Sequence, residues 1–196
     1  MKIIKDNSYD IVRLLVNQIG IAIFAMMLYS AAGAVEDEVV GSGVILAISI
    51  FSILFYVFLL YTVAWDYGAK DRIRVDSNRM ERSSYKGALM AAVANIPSIL
   101  IAAASVATLG IFMATQIDGF YSAFAAINLI MRLFMSMYLG VIQAVCSAFE
   151  DSHNLYFFTQ SIGYLIAPII PILATHFGYK MGFAEKKLFG SAKASK

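Results

Sequence analysis

Polar and apolar positions alternate along this chain on the scale of whole helices. Asp, Glu, Lys and Arg are missing from residues 14–35, 39–65, 87–117, 119–131, 133–149 and 152–179. A helix that crosses ~30 Å of hydrocarbon needs about 20 mostly apolar residues. Only Arg132 separates 119–131 from 133–149, so these two join into one stretch. The pattern predicts membrane segments over about 12–34, 43–65, 87–117, 119–149 and 155–179, and a sixth crossing if one of them is broken. The expected fold class is all-α, a polytopic transmembrane helical bundle of about 5–6 segments.

Composition supports this. The chain has 196 residues, 60% of them hydrophobic and only 14% charged, with a mean hydropathy of +0.74. A soluble globule carries roughly 25% charge, and a small one leaves much of its surface in water. One integral membrane domain over 1–196 is expected, with no room for a separate catalytic domain. The first apolar stretch follows Lys2, Lys5 and Arg13 and ends in Ala32-Gly33-Ala34, a pattern shared with cleavable leaders. Its length, 22 uncharged residues, favours an uncleaved helix.

Charge orients the segments. The N-terminal arm is basic, and 36–42 carries three acids and no base. Segment 66–86 holds Lys70, Arg72, Arg74, Arg79, Arg82 and Lys86 against Asp66, Asp71, Asp76 and Glu81. The tail 180–196 holds five lysines. Positive charge stays on the cytoplasmic side, so the N-terminus, a loop over 66–86 and the tail are all expected there. Three single crossings after residue 86 would put the tail outside. An even number resolves the conflict, through a discontinuity at Pro97 or at Pro168 and Pro171. The loop bases Lys70, Arg72, Arg74, Arg79 and Arg82 are candidates for contact with anionic headgroups or a partner subunit, although alternating signs also make a self-paired, solvated segment.

Two segments carry further information. In 87–117, Gly87, Ala91 and Asn95 recur every four residues, as do Ser98 and Ala102, a spacing that lets helix backbones approach. In 118–150, Asp118, Ser122, Asn128, Arg132, Ser136, Gln143, Ser147 and Glu150 fall within an arc of about 120° on one continuous helix. Arg132 sits near its middle, where a charge costs about 2.5–3.5 kcal/mol. It faces a protein interior or wet cavity, capped by amides and carbonyls or ready for an anionic ligand. Asn128, Arg132, Ser136 and Gln143, with Asn95 and Gln160 from other segments, form the candidate ligand or ion pathway. Gln160, Tyr164, Pro168, Pro171 and Thr175 fall on roughly one face of the last segment.

Much chemistry lacks a motif. There is no HExxH, no phosphate-binding loop, no GxSxG and no paired intramembrane carboxylates. Cys146 stands alone, and the acids around His153 match no standard metal spacing, so no metal site and no cofactor are expected. A net charge of +2 without a basic stripe points away from nucleic acid. In length, hydropathy and alanine-rich helices the chain is similar to the substrate-binding membrane subunits of energy-coupling-factor vitamin transporters; no motif carries that likeness, and it assigns no residue a role. The expected function is a small-solute transport or substrate-binding membrane subunit with a polar site around Arg132, and not an enzyme. The alternative is a non-catalytic accessory protein that assembles with a membrane or cytoplasmic partner.

Overall fold

The computed structural model describes residues 7–32, 38–81, 83–149 and 152–186, and every regular element among them is helical. Four stretches are long and apolar enough to cross a membrane: Ser8–Ala32, Val40–Asp76, Ile96–Thr115 and His153–Phe183. A fifth, Asp118–Phe134 with Ser136–Phe149, matches them in length and apolarity but bends by 87°. The all-α expectation holds. Many large apolar side chains on these helices are exposed, Leu54, Leu100 and Leu173 each above 60%, while Gln18, Ser98, Ser105, Gln160 and Ser161 are buried. This inversion suits lipid, where hiding leucine gains nothing and small and polar residues join helices.

The chain divides into two units. One contains Leu15–Tyr56 and Asn95–Ile169. Here α1 (Ser8–Ala32) meets α2 (Glu38–Asp76) through Phe24, whose ring lies 6.4 Å from Phe51 and 6.2 Å from Phe55. The expected segment 87–117 is interrupted at Asn95. Before it lies α3 (Lys86–Ala94), only about 13 Å long and too short to cross. After it comes α4 (Ile96–Thr115), with Pro97 in its first turn, where a missing N–H leaves no bond unmade. Pro97 thus starts a helix and does not kink one. Gln18 of α1 donates to Ser98 of α4 at 2.6 Å. A two-residue link leads to α5 (Asp118–Phe134), which returns along α4 with Tyr121 5.1 Å from Phe112.

The predicted continuous helix over 119–149 is not formed. It breaks at Met135 into a 3-10 turn, Ser136–Tyr138, and continues as α6 (Leu139–Cys146) and a second such turn, Ser147–Phe149. The seven of the eight polar residues that are described, Asp118 to Ser147, therefore do not share one face; Glu150 lies outside the described residues. Partners far away in sequence cause the break. Ser136 Oγ donates to Ala22 O of α1 at 2.6 Å. Ser49 Oγ of α2 donates to Met137 O at 2.7 Å and accepts from Val141 N at 3.2 Å. A Cβ on Gly140 would collide with Ile45 O, so only glycine lets α6 come this close to α2. Met135, Ser136, Met137 and Tyr138 are all buried, so the irregular backbone is enclosed by protein. The chain then turns into α7 (His153–Ile166), where His153 Nε2 lies 3.4 Å from Tyr121 OH. The α5–α6 excursion thus ends at the level where it began.

The other unit contains Met1–Leu14, Val57–Ala94 and Ile170–Lys196. The expected loop over 66–86 is helical as far as Asp76, because α2 runs on past its apolar part. At 39 residues it is about 58 Å long, far more than ~30 Å of hydrocarbon. Pairs Asp66–Lys70 and Arg72–Asp76, four residues apart, support the extension. The last helix, α8 (Ile169–Phe183), follows α7 after a turn at residues 167 and 168, and His153–Phe183 forms one 31-residue span. Pro168 and Pro171 therefore mark no corner. The predicted face is buried at all five positions: Gln160, Tyr164, Pro168, Pro171 and Thr175. Gly178 and Gly182 press α8 onto Tyr61 and Trp65 of α2, a small-xxx-small contact.

Candidate functional site

Asn128 and Arg132 lie one turn apart on α5, so their side chains leave the same face. Both reach Gln160 of α7. Asn128 Nδ2 donates to Gln160 Oε1 at 3.2 Å, and an Arg132 terminal nitrogen donates to the same oxygen at 3.1 Å. Gln160 is fully buried, Asn128 buried and Arg132 half-buried. Among the described residues no carboxylate lies within ion-pairing distance of Arg132.

A cavity of about 270 Å³ opens beside this cluster, lined by Asn128 and Arg132 together with Tyr121, Phe124, Leu129 and Phe157. Tyr121 and Leu129 are exposed, so the cavity is open on their side. Its aromatic wall is built from two helices: the Phe124 and Phe157 rings meet edge to face at 5.5 Å, and His153 stands 4.6 Å from Phe157. The site offers one full positive charge at the end of an apolar, aromatic slot.

Of the candidates read from sequence, the structure brings together Asn128, Arg132 and Gln160. Ser136 sits in the buried turn and binds Ala22 O. Gln143 is on α6 beyond the bend, and Asn95 is buried between α3 and α4. None of these three lines the cavity, and Gln160 stands behind its lining residues Asn128 and Arg132. The aromatic lining carries no polar signal in the sequence, where Phe and Tyr in apolar segments look like ordinary lipid-facing or packing residues. Phe124 precedes Asn128 by four residues and Phe157 precedes Gln160 by three, so both share a face with a candidate.

The basic candidates lie elsewhere. Lys70 pairs with Asp66 at 2.6 Å, Arg72 with Glu185 at 3.0 Å, and Arg74 with Asp71 at 3.5 Å. Arg79 is exposed, and Arg82 lies outside the described residues. One acid of this segment is not on the surface at all. Asp71 is buried, bound by Lys86 Nζ at 2.6 Å and by Tyr179 OH at 2.9 Å. That buried triad ties α2, α3 and α8 together. Its sequence signal is faint, since Asp71 is one acid among four in a charged run.

No family model, curated protein or solved structure matches this chain. The functional reading therefore stands on the geometry of the site itself.

Proposed function

We propose that the chain is a multi-pass protein of the cell membrane that binds or transports a small solute at the Arg132 cavity. Its N-terminus and tail lie on the cytoplasmic side. Four crossings, by α1, α2, α4 and α7–α8, return the chain to its starting side. The α5–α6 pair is re-entrant, since Tyr121 at its start touches His153 at its end. Its tip binds Ala22, ten residues and hence about 15 Å from the end of α1, roughly half of the ~30 Å hydrocarbon thickness. The grouping of the N-terminal residues, the charged end of α2 and the end of α8 in one unit supports the same sidedness.

The observation that carries the solute site is Arg132 itself. A guanidinium at this depth is expensive, and such groups are normally paired. Here the described partner is an amide, and the cavity lies open beside it. Broken helices around midplane polar groups are the usual construction of transporter sites.

Native mass spectrometry of the protein extracted in mild detergent tests this. The expected result is a small bound mass that vanishes in Arg132→Ala while the variant stays folded. A mass retained in that variant removes Arg132 from the site. A stoichiometric protein partner without any bound mass supports the accessory reading instead.

A further inference from the structure

We infer that the Arg132 cavity selects a small aromatic or short-chain solute bearing a single negative charge, of the monocarboxylate class. This rests on the solute-site reading above and narrows it.

Hydrogen-bond capacity comes first. Gln160 Oε1 accepts from both Asn128 and Arg132, which fills its two lone pairs. Two buried atoms of this cluster have no partner among the described residues, Arg132 Nε and Gln160 Nε2; both are donors, and of the two residues only Arg132 lines the cavity. Turning the Gln160 amide over would set its NH₂ against the guanidinium, two donors face to face, so Arg132 fixes the orientation. A group that engages Arg132 from the cavity must accept, because a guanidinium only donates.

Charge comes next. Arg132 supplies one positive charge, and among the described residues no other cation lines the cavity. A carboxylate neutralises it, whereas a phosphate monoester, at about −1.5 to −2, leaves surplus negative charge in a poorly solvated place. The guanidinium fork also matches two coplanar carboxylate oxygens.

Shape sets the rest. Tyr121, Phe124 and Phe157 form flat walls, and a volume of about 270 Å³ lies just below the ~300–1,000 Å³ of sites for drug-sized ligands. The occupant is therefore about the size of a single ring. A phosphodiester headgroup of an anionic lipid carries the same single charge and is the competing source.

Calorimetry on the full chain in neutral detergent, with benzoate, benzamide, benzylammonium and phenyl phosphate as probes, tests the inference. Benzoate should bind at least about tenfold tighter than benzamide or phenyl phosphate, and benzylammonium not measurably. Arg132→Gln should reduce benzoate to the level of benzamide. Phe157→Leu, which leaves the charge in place, should weaken benzoate and benzamide alike. Benzamide binding as tightly as benzoate overturns the anion class and leaves the solute site standing. No binding of any probe by the folded protein overturns both. Benzoate binding in phosphatidylcholine nanodiscs that disappears when phosphatidylglycerol is added assigns the cavity to lipid and overturns the solute.

Discussion

Ser49 and Ser52 lie three residues apart on α2, and both are fully buried. Their roles differ. Ser49 Oγ serves the break between α5 and α6 twice, donating to Met137 O and accepting from Val141 N. Ser52 Oγ has no partner among the described residues. Ser49→Ala leaves a carbonyl and an amide stranded where water does not reach. A stranded buried group costs about 1–3 kcal/mol in soluble proteins, whereas interhelical hydrogen bonds in membranes average ~0.6 and reach ~1.7 kcal/mol. Two such losses come to about 2 kcal/mol, roughly a 30-fold change in the folding equilibrium. Ser52→Ala removes a hydroxyl that was already unmatched, so stability should stay level or rise. Reversible unfolding in mixed micelles, with dodecyl sulfate as the denaturant and helix content followed by circular dichroism, measures both variants. Equal losses, or a larger loss for Ser52→Ala, would refute the assignment of Ser49 as the partner of the break.

Two other predictions follow from the fold. Lys86→Met leaves the buried Asp71 carboxylate with Tyr179 OH and the 3.5 Å pair to the exposed Arg74, and should cost about 3 kcal/mol in the same assay, the low end for a broken buried pair. The double variant Asp71→Asn with Lys86→Met should recover most of that, because the uncompensated charge is gone; no recovery would show that the pair is not the coupled unit. For sidedness, single cysteines at Ser77 and Ser152, both exposed, in a Cys146→Ser background should react differently with a membrane-impermeant maleimide on intact cells. Position 152 should label and position 77 only after permeabilisation, whereas a full crossing by α5–α6 would put both inside.

Much of the helical order was legible because lipid imposes a strict rule: about 20 residues without charge. That rule located α1, α2, α4 and the joined α7–α8 span. It also exposed the sidedness conflict, which called for an even number of crossings after residue 86. The place where the chain turns back was not legible. Nothing in Phe134-Met135-Ser136-Met137 marks a turn, since there is no glycine or proline. The bend depends on Ser49 and Ala22, which are 88 and 114 residues away from their partners in sequence. Such a turn is a tertiary property, and local pattern predicts a straight helix there. The prolines did mark interruptions, at Asn95 before Pro97 and at residues 167 and 168 beside Pro168. Neither interruption is where the chain turns back, since Pro97 and Pro171 occupy first turns of helices and His153–Phe183 stays one span. Within the site, Asn128, Arg132 and Gln160 were recoverable as the polar residues of two apolar segments. Asp71 was not, because a buried acid and a solvated one look alike in a run of mixed charge.

A backbone break whose polar groups are answered by Ser49 and Ala22 cannot enter lipid ahead of the helices that carry those answers. During synthesis α1 and α2 emerge first and can insert as ordinary hairpin partners. The α5–α6 segment differs, since each half is too polar or too short to be stable alone, and Arg132 has its amide partner only once α7 is made. On the re-entrant topology proposed above, insertion is therefore expected to be ordered, with residues 118–149 entering only after α7 supplies Gln160 to Arg132.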